Sequence, residues 1–218
     1  VMDTESGCAF IEVNSKGQNR IIVSAGTNRM YTEEYIKNVL EKAEAGDFVL
    51  LQNEINMVGE IIRLSHEKGC RVVFNASPIP GKPEELPLEL VDIFMVNELE
   101  AAALAGTSTE GDFRDILKAL QKKYPKAAIV MTLGKEGVFY GYKEEFYSHP
   151  IFKVNAVDTT AAGDTFCGYF LAALCAEKSV ETALREASAA SAMAVSAKGA
   201  APSIPVHSAV EEWLCGRS

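Results

Sequence analysis

Four short stretches, DFVLLQ (47–52), RVVFNAS (71–77), VDIFMVN (91–97) and AAIVMTLG (127–134), carry runs of consecutive apolar residues. A strand with one wet face alternates apolar and polar side chains, whereas an uninterrupted run marks a strand buried on both faces. Between the runs the apolar period lengthens to that of a helix. YTEEYIKNVLEKAEAG (31–46) places Tyr35, Ile36, Val39, Leu40 and Ala43 on one stripe, with Thr32 as its cap and Gly46 as its stop. MVGEIIRLSHEKG reads as a helix ending at Gly69, and ELEAAALAG and DFRDILKALQKKYP as two more. Buried strands joined by helices require parallel neighbours and right-handed crossovers, hence a layered α/β/α arrangement around a mostly parallel sheet. Ligands of such sheets sit beyond the carboxyl ends of the strands. Gln52–Asn53–Glu54, Asn97–Glu98–Leu99–Glu100 and Thr132–Leu133–Gly134 all fall at such ends.

The flanking regions read differently. Residues 7–13 and 20–24 form two short strands around an Asn14–Ser15–Lys16–Gly17 turn. GVFYGY and EEFYSHP make a second hairpin, and from Asp164 onward the chain is mostly helical, in three pieces.

At 218 residues the chain suits one large α/β domain. A formal charge of −9 argues against a general nucleic-acid binder, because the phosphate backbone rewards the opposite sign. It does not exclude a phosphorylated small molecule, which Mg²⁺ and oriented N–H groups can hold. The cysteines, Cys8, Cys70, Cys167, Cys175 and Cys215, are odd in number, scattered, and free of any C-x-x-C pair, which predicts reduced thiols. His66, His149 and His207 are too far apart to suggest a metal cluster. With no signal peptide and no apolar run of membrane-spanning length, the expected location is the cytoplasm.

AVDTTAAGDTF (156–166) is the stretch that most invites chemistry. Gly163–Asp164–Thr165 open an apolar helix whose first N–H groups lack internal partners and carry the positive end of its dipole. Ala161, Ala162 and Gly163 present no bulk, so an anion can approach those donors closely. A plain helix start capped by Asp164 is the competing reading, but a cap does not need the run of small residues. For a transferring phosphoryl group, Asp164 can orient a hydroxyl nucleophile while the amides stabilise the phosphoryl oxygens. Asn97 and Glu100 read first as a helix N-terminus and second as a water-mediated Mg²⁺ site. TLGKEG (132–137) reads as a Gly-bounded turn, or as exposed backbone for a nucleotide's phosphates. The small residues before AKGAAPSIP (197–205) are most simply close-packing ones. The sequence has no G-x-x-x-x-G-K-[ST], no G-x-G-x-x-G after a strand and no G-x-S-x-G, so P-loop, dinucleotide and hydrolase-elbow patterns are missing.

Taken in order, VNELE, TLGKEG, NAVDTTAAGDTF and KGAAPSIP resemble the ribokinase (PfkB carbohydrate kinase) family. EVNSKGQNRIIVSAGTN, LLQNEI and the alanines of TTAAGD are similar to its ribokinase branch, and the likeness runs essentially from Val1 to the C-terminus. The resemblance implies a three-layer α/β/α ribokinase-like fold with a partial lid hairpin at 1–24 and a nucleotide-binding domain at 25–218. It implies ATP-dependent phosphorylation of D-ribose at its 5-hydroxyl, with ATP and ribose as partners. By position, Asp164 is the catalytic base, and Ala161, Ala162 and Gly163 form the anion hole. Asn97 and Glu100 match the Asn-x-x-Glu motif linked to nucleotide phosphate and Mg²⁺. Thr132, Leu133, Gly134, Lys135, Glu136 and Gly137 match the nucleotide loop, and Ser188 falls near the adenine. Glu54 matches a sugar-contacting carboxylate. Asp158, Thr160, Ala194, Ala197, Gly199 and Ser203 fall where the family binds a monovalent cation, usually K⁺. A homodimer through the lid is implied as well.

The family pattern also begins with a Gly-Gly-containing sugar-binding segment that this sequence does not contain. The expectation is therefore a chain truncated at its N-terminus, with an uncovered apolar sheet edge and little turnover of its own. A non-catalytic nucleotide-binding or assembly module, and a kinase for another sugar or a nucleoside, stay open at this point.

Overall fold

The computed structural model describes residues 4–13 and 19–217. The Asn14–Gly17 turn expected from the sequence lies outside the described residues. The chain divides into two compact units, Val1–Asp92 and Ile93–Ser218.

In the first unit, β1 (Cys8–Val13) and β2 (Asn19–Ser24) pair antiparallel, with Phe10 opposite Ile22 and Ala9 opposite Val23. Neighbouring positions point to opposite faces, yet Phe10, Ile11, Ile22 and Val23 are all exposed. The ribbon thus has apolar side chains on both faces.

Helix α1 (Glu33–Leu40) starts as predicted: the Thr32 hydroxyl accepts from the Tyr35 N–H at 3.2 Å, and Glu33 and Glu34 complement the dipole. It stops earlier than the expected Gly46. Beyond Leu40 the chain folds into a turn in which the Ala43 N–H and the Lys68 ammonium both donate to the Leu40 carbonyl. Gly46, at φ +94°, instead makes the bend into the next strand.

Strand β3 (Phe48–Gln52) pairs in parallel with β4 (Arg71–Asn75), and α2 (Val58–Glu67) makes the crossover. Val72, Val73 and Phe74 are completely buried, as an unbroken apolar run predicts. β3 departs from that expectation. Leu51 is buried but Leu50 is 44% exposed, so an apolar run does not here mean burial on both faces.

The second unit pairs β5 (Ile93–Asn97) in parallel with β6 (Ala128–Thr132), with α3 (Glu98–Ala105) and α4 (Phe113–Lys123) between them in sequence. β7 (Val138–Tyr142) runs antiparallel to β6, and β8 (Glu145–His149) antiparallel to β7, as the hairpin signal predicted. Three helices follow: α5 (Ala162–Cys175), α6 (Val180–Val195) and α7 (His207–Cys215). Phe94, Ile129, Met131, Leu104, Leu120, Phe170 and Leu184 are among the largest fully buried side chains of the core. Each such side chain contributes roughly 1.5–3 kcal/mol through burial. Ala183, Ala187, Ala190 and Ala194 on α6 are fully buried, and their spacing of three and four residues makes one smooth face for close packing.

Candidate active site

The in-register pairing of β5 with β6 sets Asn97 directly beside Thr132, the last residues of their strands. Asn97 then serves as N-cap of α3. Its side-chain oxygen accepts from the Glu100 N–H at 2.9 Å, and Glu100 Oε2 accepts from the Asn97 N–H at 2.8 Å. This reciprocal capping box explains why Glu100 is buried while Asn97, Glu98 and Leu99 are exposed. One carboxylate oxygen of Glu100 is therefore engaged in the fold. The other is the atom that can meet a hydrated Mg²⁺.

From Thr132 the chain enters a tight 3₁₀ turn over Gly134–Glu136. The Leu133 N–H donates to the Gly137 carbonyl at 2.8 Å, and the Glu136 N–H to the Leu133 carbonyl at 3.0 Å. Gly134, Lys135 and Glu136 are exposed. Gly137 is fixed at φ +94°, and a Cβ there would stand 2.2 Å from the His149 carbonyl oxygen, so only glycine closes the turn.

The N-terminus of α5 lies two residues earlier than the sequence suggests. Ala161 is the N-cap, at φ 58° and ψ 13°, with no side-chain cap; Ala162 begins the helix. Asp164 is consequently the third helical residue and not the cap. A left-handed alanine is sparsely populated and costs on the order of 1 kcal/mol. This one turns the backbone so that the Ala162 N–H meets the Thr159 carbonyl at 3.3 Å and the Thr165 N–H meets that of Ala161 at 2.9 Å. The Gly163 amide lies between those two bonds. Gly163 and Asp164 are exposed, and a methyl group added at Gly163 would meet nothing within 4 Å. The space beside these amides is open.

Asp158 builds the approach to this helix. Its Oδ1 accepts from the Thr160 N–H and its Oδ2 from the Gly199 N–H, each at 3.0 Å. The N–H groups of Val157 and Asp158 share the Val195 carbonyl, at 2.7 and 3.1 Å. Hydrogen bonds from the Thr160 side chain, then from the Thr160 and Gly199 backbone, hold the Asp158 carboxyl down to about 2. One carboxylate thereby joins the 157–160 and 194–199 segments. Ala194 is buried at the end of α6 and its carbonyl accepts from the Ala197 N–H at 3.1 Å, while buried Ser203 Oγ donates to the Ala200 carbonyl at 2.8 Å. The expected cation ligands thus lie along the end of α6 and the loop after it, tied to Asp158. A set of this kind, mostly backbone carbonyls with the single Asp158 carboxylate, suits a singly charged cation better than a divalent one.

Glu54 is exposed in the loop after β3, in the first unit. Two residues that the sequence did not single out position the neighbouring backbone. Asn56 clasps Tyr31 twice, accepting from its N–H at 3.0 Å and donating to its carbonyl at 2.8 Å. On α6, Ser191 Oγ donates to the Ala162 carbonyl at 3.0 Å, anchoring the first residue of α5. Ser188 is half-buried one turn earlier on α6, on the same side of that helix. An Ser-x-x-Ser spacing on an alanine-rich helix was the available signal.

The sequence profile of the pfkB family carbohydrate kinases matches residues 1–207. The chain belongs to that family. It is 36% identical over 213 residues to a ribokinase of Haemophilus influenzae, covering 96% of this chain and 69% of that protein. Among solved structures, the ribokinase of Thermotoga maritima superposes with a TM-score of 0.85 at 35% identity, over 98% of this chain and 71% of its own. The ribokinase of Arabidopsis thaliana, solved with ribose and ATP, gives 0.82 at 31% identity, over 97% of this chain and 70% of its own. The family's ribokinase-like α/β fold, with its mostly parallel sheet, is the fold class that the sequence motifs led us to expect. No helix among the described residues is long and apolar enough to cross a membrane.

Proposed function

We propose that this protein is an ATP-dependent kinase that phosphorylates D-ribose at the 5-hydroxyl. The observation that carries the proposal is the open N-terminus of α5, where Gly163 and Asp164 are exposed beside unobstructed space. A helix N-terminus is a ready site for an anion, and in phosphoryl transfer positioning and charge stabilisation do most of the work. Asp164 orients the sugar hydroxyl and takes up its proton. The oxygen forms its bond to the γ-phosphorus as the bond to the ADP oxygen breaks. The amides of 161–163 stabilise the charge on the equatorial oxygens through this exchange. ATP lies along Asn97, Glu100, the 132–137 turn and Ser188, whose first members share one edge by the Asn97–Thr132 register. Glu54 contacts the sugar.

Glu100 would hold Mg²⁺, which would supply charge neutralisation for the phosphates, and Asp158, Thr160, Ala194, Ala197, Gly199 and Ser203 would hold K⁺, which would steady the loop that leads into the anion hole. The Asp158 bridge supports this reading, because it already draws the two ligand segments together. The hairpin within 1–24 acts as lid and dimer contact and residues 25–218 as the nucleotide-binding domain; the doubly apolar ribbon suits the hairpin's role. An acidic chain acting on soluble metabolites fits the cytoplasm.

The test is ADP release by the protein with ATP, Mg²⁺ and K⁺, with and without ribose. Ribose-dependent ADP that disappears in Asp164→Asn, with ATP binding retained by calorimetry, is the expected result. ADP release that ignores ribose, or survives the substitution, refutes it.

A further inference from the structure

A surface groove of about 600 Å³ borders the cation loop without including its candidate ligands; Lys153, Asn155, Val157, Ser196, Trp213 and Arg217 line it. Its shape comes from the packing of α7. Trp213 sits edge-on against Phe152 with ring centroids 4.9 Å apart, and it packs on the cluster of Ala189, Ala190, Val210 and Leu214. The indole is therefore a fixed platform. Arg217 lies on it, its guanidinium carbon 3.7 Å from the ring centroid, and donates to the Trp213 carbonyl at 3.5 Å. Stacking holds a guanidinium plane in one orientation and leaves its donor fork ready for an oxyanion.

The charge balance at this place is the reverse of the chain's. The protein carries 30 Asp and Glu against 21 Lys and Arg, yet none of the described residues that line the groove is acidic. Among the described residues, neither Lys153 nor Arg217 takes part in an ion pair. Two cations without an ion-pair partner among the described residues share one concavity with the Asn155 amide, a neutral donor.

We propose that the groove binds a small multivalent oxyanion bearing phosphate or carboxylate groups. The Arg217 fork and the Lys153 ammonium take its charge and Asn155 supplies a further hydrogen bond. The occupant adjoins the cation loop: Val157 lines the groove, and its N–H shares the Val195 carbonyl with that of Asp158. Binding there steadies the backbone that presents Asp158.

The chain's single tryptophan is Trp213, so its emission reports the groove directly. The experiment titrates the protein with inorganic phosphate and, separately, with citrate, against chloride at matched ionic strength. A saturable change in emission is expected with at least one of the two, and the one that saturates at lower concentration identifies the favoured oxyanion. Lys153→Glu should weaken it by about tenfold or more, as the loss of a charge-assisted contact predicts, and calorimetry should give the same for Arg217→Ala. The response should persist in Asn97→Ala. An emission change that chloride reproduces, no saturation with either oxyanion, indifference to Lys153→Glu, or loss in Asn97→Ala overturns the proposal.

Discussion

Gly163→Ala separates the chemistry of the α5 N-terminus from its stability, because the two should move in opposite directions. Gly163 is the second residue of the helix, and the added methyl meets no heavy atom within 4 Å. Folding therefore incurs no steric cost. Replacing a helical glycine by alanine also removes backbone freedom from the unfolded chain, worth about 0.5–1 kcal/mol. For a chain of this size that raises Tm by roughly 1–4 °C. Catalysis should suffer for the same reason that folding does not. The methyl projects into the open space where the phosphoryl oxygens must approach the amides, and losing one such donor typically costs about 10²–10³ in kcat. Differential scanning calorimetry and a coupled ADP assay on the same preparations give both numbers. A fall in Tm would mean that the site is closed by protein. A kcat equal to that of the parent would mean that the phosphoryl group does not pass this amide.

Two further outcomes follow from the hydrogen bonds. The Asp158 carboxyl is lowered from 3.8 to about 2 on folding, so its stabilising contribution is complete above the unfolded value and is lost as pH falls through the folded one. Tm measured against pH should fall less steeply across that window in Asp158→Asn than in the parent, and an unchanged slope would refute the assignment. Glu100→Gln keeps a residue able to complete the capping box while removing the charge. Its denaturation midpoint should stay close to the parent's while the Mg²⁺ concentration for half-maximal activity rises; a shift of about 1 kcal/mol in stability without a change in Mg²⁺ dependence would make Glu100 a cap alone.

The elements were legible because the period of the apolar residues is set by backbone geometry, which tertiary context seldom changes. Thr32, Gly106 and Asp112 mark helix ends as local chemistry predicts. What escaped depends on partners distant in sequence. The early stop of α1 involves the Lys68 ammonium on the Leu40 carbonyl, 28 residues away. The exposure of Leu50 depends on which faces of β3 find neighbours, and composition cannot report that. In the candidate site, the order of motifs singled out Asn97, Thr132 and Asp164, but the start of α5 was misplaced because a left-handed Ala161 has no sequence signal. Asn56 and Ser191 went unnoticed because they bind backbone atoms, which leave no complementary residue to read. The groove at Trp213 was invisible for a simpler reason: Lys153 and Arg217 are 64 positions apart.

The pairing of β5 with β6 has a consequence for how such a chain can vary in length. Side chains in a strand alternate, so one extra residue between Ala128 and Thr132 would invert Thr132 and push the following turn along by about 3.3 Å. Asn97 would lose its neighbour at one stroke. The exposed stretch at 107–112, between α3 and α4, carries no such constraint and can grow or shrink without disturbing that shared ledge.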